Sequence, residues 1–333
     1  MSDKYRIFGG GISPYSVKVR SYFRYKGIPH EWIQRDTNTM AEYKKYAKLP
    51  IVPLIVTPED EGMQDSTPII ETMEARVPEP SIHPDDGTLR FLSELIEEFS
   101  DEWGNKWIFQ YRWARDADQR SAAERIVTGG FPDATEEERQ KMAENIRERM
   151  TGRGWVIGTN EKTAPLIEDS FNDGIQLIEQ HLAKRSYLFG ERPSLADFGL
   201  WGQIYQASTD PTAGAILSSG YDAICRWMDR MLDPKSEGEF ETWSSLQPTL
   251  ARILEKQVRP FLIWSAANAA ALASGAEEFT VDLDGRSWTQ TVGGPQRYHA
   301  KSLREIRRKY GEQSSNPELR EILETAGCLE LLA

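Results

Sequence analysis

The stretch GGGISPYSVKVRSYF, residues 9–23, decides how this chain is read. It follows a short strand-like run, residues 5–8, and passes through three glycines and Ser13-Pro14-Tyr15-Ser16 into a helical pattern that stops before Gly27. If Ser13 caps that helix, Pro14 stands where a missing N–H does no harm. The free amides of the first turn and the positive end of the helix dipole then favour an anion. A thiolate suits a neighbouring hydroxyl donor best, because its pKa falls in such a place. The plainer alternative is that Ser13 does nothing but cap. A dinucleotide loop is the weaker alternative, since Ile12 and Tyr15 stand where G-x-G-x-x-G needs later glycines.

Working outward, residues 31–35 alternate as a strand and residues 40–48 form a second helix. Residues 54–56 and 63–64 make a hairpin across the turn-rich PEDEG, and residues 68–76 close the unit with a helix. The order β-α-β-α-β-β-α predicts a thioredoxin-like domain over residues 1–80. In that fold the proline before the third strand, here Pro53, is usually cis and leaves the backbone of Val52 free to pair with an extended peptide. An ordinary strand-start proline is the alternative. Ser66, ahead of a helix with an early proline, reads as a cap that can receive a carboxylate, and Asp65 beside it can receive an ammonium.

The proline-rich VPEPSIHPDDG, residues 77–87, marks a linker, placed at 81–88. An all-α domain is expected over 89–270, with helices at 89–115, along TEEERQKMAENIRERM (135–150), and at 165–184, 195–205, 223–231 and 246–264. Residues 271–333 are a separate extension. There Asp284-Gly285 joins strands at 278–283 and 286–292, because both turn residues tolerate positive φ. Two short helices follow, the last capped at Asn316-Pro317 and ending near Gly327. A lone hairpin is marginal in water, so the extension should wrap over the helical domain or a partner subunit.

Composition narrows the partners. With 333 residues and a formal charge of −12, the chain lacks the basic field that would draw it to nucleic acid or anionic lipid. Its two cysteines, Cys225 and Cys328, have neither metal-ligand nor redox-pair spacing, which fits a reducing compartment. The start MSDKYRIFGG lacks a signal peptide's pattern, and the longest apolar run, residues 261–273, is too short to span a bilayer. A cytoplasmic protein without membrane association is expected. The scattered histidines show no His-Glu-x-x-His pattern, so no metal is expected.

Taken in order, Ser-Pro-Tyr-Ser before the first helix, Val-Pro before the third strand and Asp-Ser before the last helix of the first domain resemble the cytosolic glutathione transferase superfamily. Arg192-Pro193-Ser194-Leu195-Ala196-Asp197-Phe198 resembles that family's capping box, a structural pair of Ser194 and Asp197. The resemblance covers roughly residues 4–265. It implies a two-domain α+β fold, a homodimer, and glutathione as co-substrate. It also implies a binding site in which Val52 and Pro53 hold the cysteinyl backbone, Asp65 and Ser66 take the γ-glutamyl end, and Ser13 faces the sulfur.

Glutaredoxin-like relatives carry Cys-Pro-Tyr-Cys at this place, so two hydroxyls here remove the covalent nucleophile of thiol exchange. A serine-type mechanism is expected, with Ser13 ahead of Tyr15 and both ahead of Ser16. Ile51 replaces a family lysine that reaches the glycyl carboxylate, and Lys48 is the nearby substitute. Phe99, Trp103, Trp107 and Tyr111 recur every fourth residue and form a stripe along one helix face. Trp103, Trp107 and Tyr111, with Tyr15, are the candidates for a second-substrate pocket, although such a stripe is more often core. The expected activity is conjugation or addition of glutathione thiolate to a hydrophobic electrophile, a flat aromatic one if part of the stripe is exposed to the cleft. A non-catalytic binding or scaffold module and a thiol oxidoreductase are the alternatives.

Overall fold

The computed structural model describes residues 4–294 and 296–333. The chain opens with β1 (Tyr5–Gly9), α1 (Pro14–Tyr25), β2 (His30–Gln34), α2 (Met40–Tyr46), β3 (Leu54–Val56), β4 (Gly62–Gln64) and α3 (Ser66–Arg76). This is the expected thioredoxin-like order. The strands lie in the order β2-β1-β3-β4, with β1 parallel to β2 and antiparallel to β3. Alternation along β1 buries Ile7 among the residues of α1 and α3, and Phe8 on the opposite face against Tyr43, Leu54 and Val56. Phe8 stands opposite Leu54, and Leu54 opposite Gln64. That register gathers the exits of β1 and β4 and the entry of β3 at one end of the sheet.

The helical domain follows as α4 (Gly87–Glu102), α5 (Gly104–Ala114), α6 (Asp116–Gly130), α7 (Glu136–Thr151), α8 (Ala164–Leu182), α9 (Leu195–Ser208), α10 (Pro211–Ser218), α11 (Asp222–Leu232), α12 (Trp243–Ile253) and α13 (Arg259–Ser274). Nearly all of α9 is buried, so it is the central helix, packed on α1, α4 and α5. Gly202 makes the contact with α1 so close that a Cβ there would stand 2.8 Å from the carbonyl oxygen of Pro14. Asp197 is saturated. Its carboxylate accepts from Ser194 N (2.9 Å), Ser194 Oγ (2.7 Å), Leu188 N (2.8 Å) and Trp227 Nε1 (2.9 Å).

Three expectations for this domain need correction. The helix expected over 89–115 is two, broken at Trp103, where Gly104 lets the chain pass so near Gln203 that a Cβ would lie 2.9 Å from its Cγ. The helix expected over 246–264 runs on to Ser274 and contains a π-helical turn, Leu254–Val258, just ahead of Pro260, which cannot donate to a regular α ladder. Helices α6 and α10 were not anticipated.

The extension forms β5 (Glu278–Leu283), β6 (Arg286–Thr291), α14 (Gln296–Gln313), α15 (Pro317–Thr325) and α16 (Leu329–Leu332). Asp284 and Gly285 turn the hairpin with φ of 56° and 82°. At 18 residues α14 is longer than expected, and it packs along α4 and α13. The hairpin is pinned by Lys106 of α5, a buried ammonium 3.8 Å from the ring centre of Trp264, 5.5 Å from that of Trp103 and 6.0 Å from that of Trp288. Gln290 Oε1 accepts from both Trp264 Nε1 (3.0 Å) and Trp288 Nε1 (3.1 Å). The extension therefore covers the helical domain of its own chain. Among the described residues, no helix is long and apolar enough to cross a membrane.

Candidate active site at the sheet edge

The sheet end assembles four short segments. On the first, Ser13 Oγ accepts from Ser16 N at 3.3 Å, which makes it the cap of α1, and Ser13 N donates to Gly10 O at 2.9 Å. Among the described residues nothing accepts the hydroxyl's own proton. Capping uses a lone pair of the oxygen, and the proton stays available to an anion at the helix N-terminus. Ser16 is buried, and its Oγ accepts from Gly10 N at 3.3 Å, so it shapes the loop from behind.

Tyr15 is already engaged. Its hydroxyl donates to Asp101 O at 3.0 Å and accepts from Asn105 Nδ2 at 3.4 Å, and burial holds the phenol well above its ordinary pKa. It is thus a joint to α4 and α5, with its ring half-buried beside the loop.

On the second segment the Val52–Pro53 peptide is cis, as the fold implied. Val52 makes no hydrogen bond through its N–H or C=O among the described residues, so both are open to an extended peptide. Gln64 holds the preceding turn: its Oε1 accepts from Lys48 N (2.8 Å) and Leu49 N (2.9 Å), and its Nε2 donates to Leu49 O (2.8 Å) and Ile51 O (3.0 Å). This leaves the side chains of Leu49 and Ile51 exposed beside the site.

The third segment is the β4–α3 turn. Asp65, not Ser66, is the residue that caps α3, with φ of 79° and no side-chain hydrogen bond. Ser66 is the first helical residue, and its buried hydroxyl donates to Asp101 Oδ2 at 3.5 Å. Beneath this turn Lys18 Nζ meets Asp101 Oδ2 at 2.7 Å and also pairs with Glu97, while Thr67 Oγ1 donates to Glu97 Oε1 at 2.6 Å. Burial pushes the Asp101 carboxyl up despite Lys18, because Glu97 competes for the same ammonium. Lys18 is itself held above its usual value, the two carboxylates outweighing its burial.

The fourth contribution comes from the helical domain and was missed at the level of sequence. Gln206 Nε2 donates to Gly11 O at 2.8 Å, and Arg112 Nη1 donates to Ile12 O at 3.2 Å. Arg112 is fixed in turn by buried Asp210, with Nε 2.8 Å from Oδ2. Two carbonyls of the glycine loop are thereby turned back into α5 and α9, which leaves the Ser13 end of the loop facing outward. Spacing alone offers no signal for this, since the partners lie about a hundred and two hundred residues from the loop.

The aromatic stripe does not line the cleft. Trp107 and Tyr111 are each 1% exposed and pack on Phe171, while Phe99 packs on Phe261. Trp103 is buried against Trp264 and Trp288 and borders a separate cavity of about 310 Å³ formed with Ser170, Gln257, Leu283 and Arg286. The apolar surface that does adjoin the glycine loop is another one. Ile12, Phe109, Ile126, Phe131, Met142 and Met150 are partly buried around a small core of Trp113, Val127 and Ile146.

A thioredoxin-like domain with an open backbone edge, joined to an all-helical domain that holds its first loop, defines a class of two-domain α+β proteins. Models of the glutathione S-transferase N-terminal domain and C-terminal domain match residues 12–76 and 134–230. The chain belongs to the glutathione transferase superfamily. It is 25% identical over 215 residues to the isoprene-epoxide glutathione S-transferase of a Rhodococcus species, which covers 63% of this chain and 85% of the relative. Similar solved structures include a glutathione S-transferase of Methylobacillus flagellatus with GSH bound: 18% identity, 69% of this chain, 95% of that one, TM-score 0.41. Another is a beta-etherase of a Sphingobium species: 19% identity, 68% of this chain, 94% of that one, TM-score 0.46.

Proposed function

We propose that the protein is a serine-type glutathione transferase that adds the glutathione thiolate to a hydrophobic electrophile. The free proton of Ser13 carries this reading: a hydroxyl that caps α1 with its lone pair still has a hydrogen to give a sulfur anion at the helix N-terminus. Val52 would pair with the cysteinyl backbone beside Pro53. Asp65 would take the γ-glutamyl ammonium, and Ser66 with the first turn of α3 its carboxylate. No cysteine lies at this edge, which disfavours a mixed-disulfide mechanism.

The electrophile would rest on the apolar surface of Ile12, Phe109, Phe131 and Met142, which joins the glycine loop through Ile12. An epoxide, the substrate class in the name of the Rhodococcus relative, belongs on the first test panel, beside aryl halides. A homodimer in a reducing cytoplasm completes the proposal, and sedimentation of the purified protein tests the dimer.

The deciding experiment measures thiol conjugation across that panel for the native chain and for Ser13→Ala, together with retention on immobilised glutathione. The proposal expects turnover that Ser13→Ala loses while retention persists. Retention without turnover of any electrophile by the native chain would favour a binding or scaffold module.

A further inference from the structure

The cavity bordered by Trp103 has no part in the glutathione reading, and it depends on the extension for one of its walls. Helix α8 lines it with Leu166, Ser170 and Leu177, the π-helical turn Leu254–Val258 lines it with Gln257, and the β5–β6 hairpin closes it with Leu283. At about 310 Å³ it enters the size range of small-molecule sites, which begins at about 300 Å³.

One donor in it has a forced direction. Ser170 Oγ accepts from Trp103 Nε1 at 3.0 Å and from Trp107 Nε1 at 3.1 Å, which uses both of its lone pairs. Its proton needs an acceptor and finds Gln257 Oε1 at 3.1 Å. The Gln257 amide cannot turn over without setting donor against donor, so Nε2 is held on the side away from Ser170. Gln257 is only 4% exposed, and Nε2 makes no hydrogen bond among the described residues. It is not sealed in the interior without a partner, as Gln290 Nε2 is, so what exposure Gln257 keeps opens on the cavity it lines.

The same wall carries positive charge. Arg252 and Lys256, both exposed, line the cavity beside Gln257. Arg252 makes no hydrogen bond or ion pair among the described residues. Lys256 meets Glu255 at 2.6 Å in an exposed pair, which holds it only weakly. Across the cavity Arg286 is paired with Asp169 and Asp284 with Arg259, which leaves Asp173 as the one carboxylate of the lining without a partner. The balance at the mouth is therefore positive, on the wall that already offers Nε2.

We propose that this cavity is a second binding site, separate from the sheet edge, for a small organic carboxylate with an apolar body. The carboxylate accepts from Gln257 Nε2 and pairs with Arg252, and the body lies between Leu166 and Leu177 of α8 and Leu283 of the hairpin, against the edge of Trp103. A donor held in place beforehand adds affinity because the ligand does not have to order it.

Calorimetric titration of the full chain with naphthalene carboxylate, and with the neutral naphthalene carboxamide of the same shape, tests the assignment. The native chain should bind the carboxylate more tightly. Arg252→Ala should weaken carboxylate binding roughly tenfold and leave carboxamide binding unchanged, and Arg252→Lys should restore most of the loss. Gln257→Met, which removes Nε2 at similar volume, should also weaken carboxylate binding roughly tenfold. That variant costs Ser170 its acceptor as well, so Arg252→Ala, at an exposed position, decides the matter if Gln257→Met does not fold. Equal affinity of the native chain for the two probes, no binding of either, or an unchanged carboxylate affinity in either folded variant overturns the proposal.

Discussion

Ser13 and Ser194 are the same residue type at the same kind of place, the entrance to a helix, and they have opposite fates. Ser194 is fully buried, and both its amide and its hydroxyl are spent on Asp197. Ser13 is half-buried and accepts one bond, with its proton uncommitted. A helix entrance keeps a donor to offer a ligand when the surrounding fold leaves that donor without a destination. Where a carboxylate takes every donor, as Asp197 does with four, the entrance is a rivet.

The comparison can be broken from either side. Asp197→Ala should have the largest effect, destabilising the chain by about 3–5 kcal/mol in urea titration, since four buried donors lose their acceptor at once. Ser13→Ala should behave conversely. It should cost only about 1 kcal/mol of stability as a lost cap, yet slow conjugation roughly a hundredfold and raise the thiol pKa of bound glutathione, read from thiolate ultraviolet absorbance. A Ser13→Ala variant as fast as the native chain would make Ser13 another rivet.

The question of where a proton goes can also be put to Lys106. Burial pushes its ammonium down to about 7, Glu102 opposing. From pH 7 upward the folded chain releases this proton while the unfolded chain keeps it until the ordinary lysine range, so unfolded chains bind more protons and stability rises with pH. Urea midpoints at pH 7 and pH 9 should show a gain of about 2 kcal/mol for the native chain over Lys106→Met, which lacks the titrating group. An identical pH response in both would refute the assignment.

Gln206→Ala should come next, lowering the conjugation rate about tenfold with little change in KM, because it frees Gly11 O and loosens the loop without touching Val52 or Asp65. The smallest change is expected for Tyr15→Phe, less than about threefold in rate, since its hydroxyl is spent on Asp101 O. If Tyr15→Phe proved as damaging as Ser13→Ala, the roles assigned to the two hydroxyls would have to be exchanged.

Local chemistry was legible in the sequence wherever one short stretch settled it. The cap at Ser13, the turn at Asp284-Gly285, the cap at Asn316 and the Ser194–Asp197 pair all depend on residues within three or four positions of one another. The misreadings came from distant partners. Four aromatics at a spacing of four define a helix face, but only Phe171, Phe261 and Trp264, contributed by α8 and α13, make that face core. Likewise the break at Trp103 answers to Gln203 across the domain, and Asp65 displaced Ser66 as the cap because the turn out of β4 needs a residue at positive φ.

Gly202 has a consequence for how such a protein can change over generations. It sits in the middle of α9, 188 positions along the chain from Pro14, and carries no functional group, yet a methyl there would collide with the peptide that launches α1. A mutation to alanine, ordinarily mild in a helix interior, would here lift the first turn off its support and carry the Ser13 oxygen with it. The proposed action of Ser13 on a thiolate would therefore be open to changes in α9, far along the chain from the loop itself.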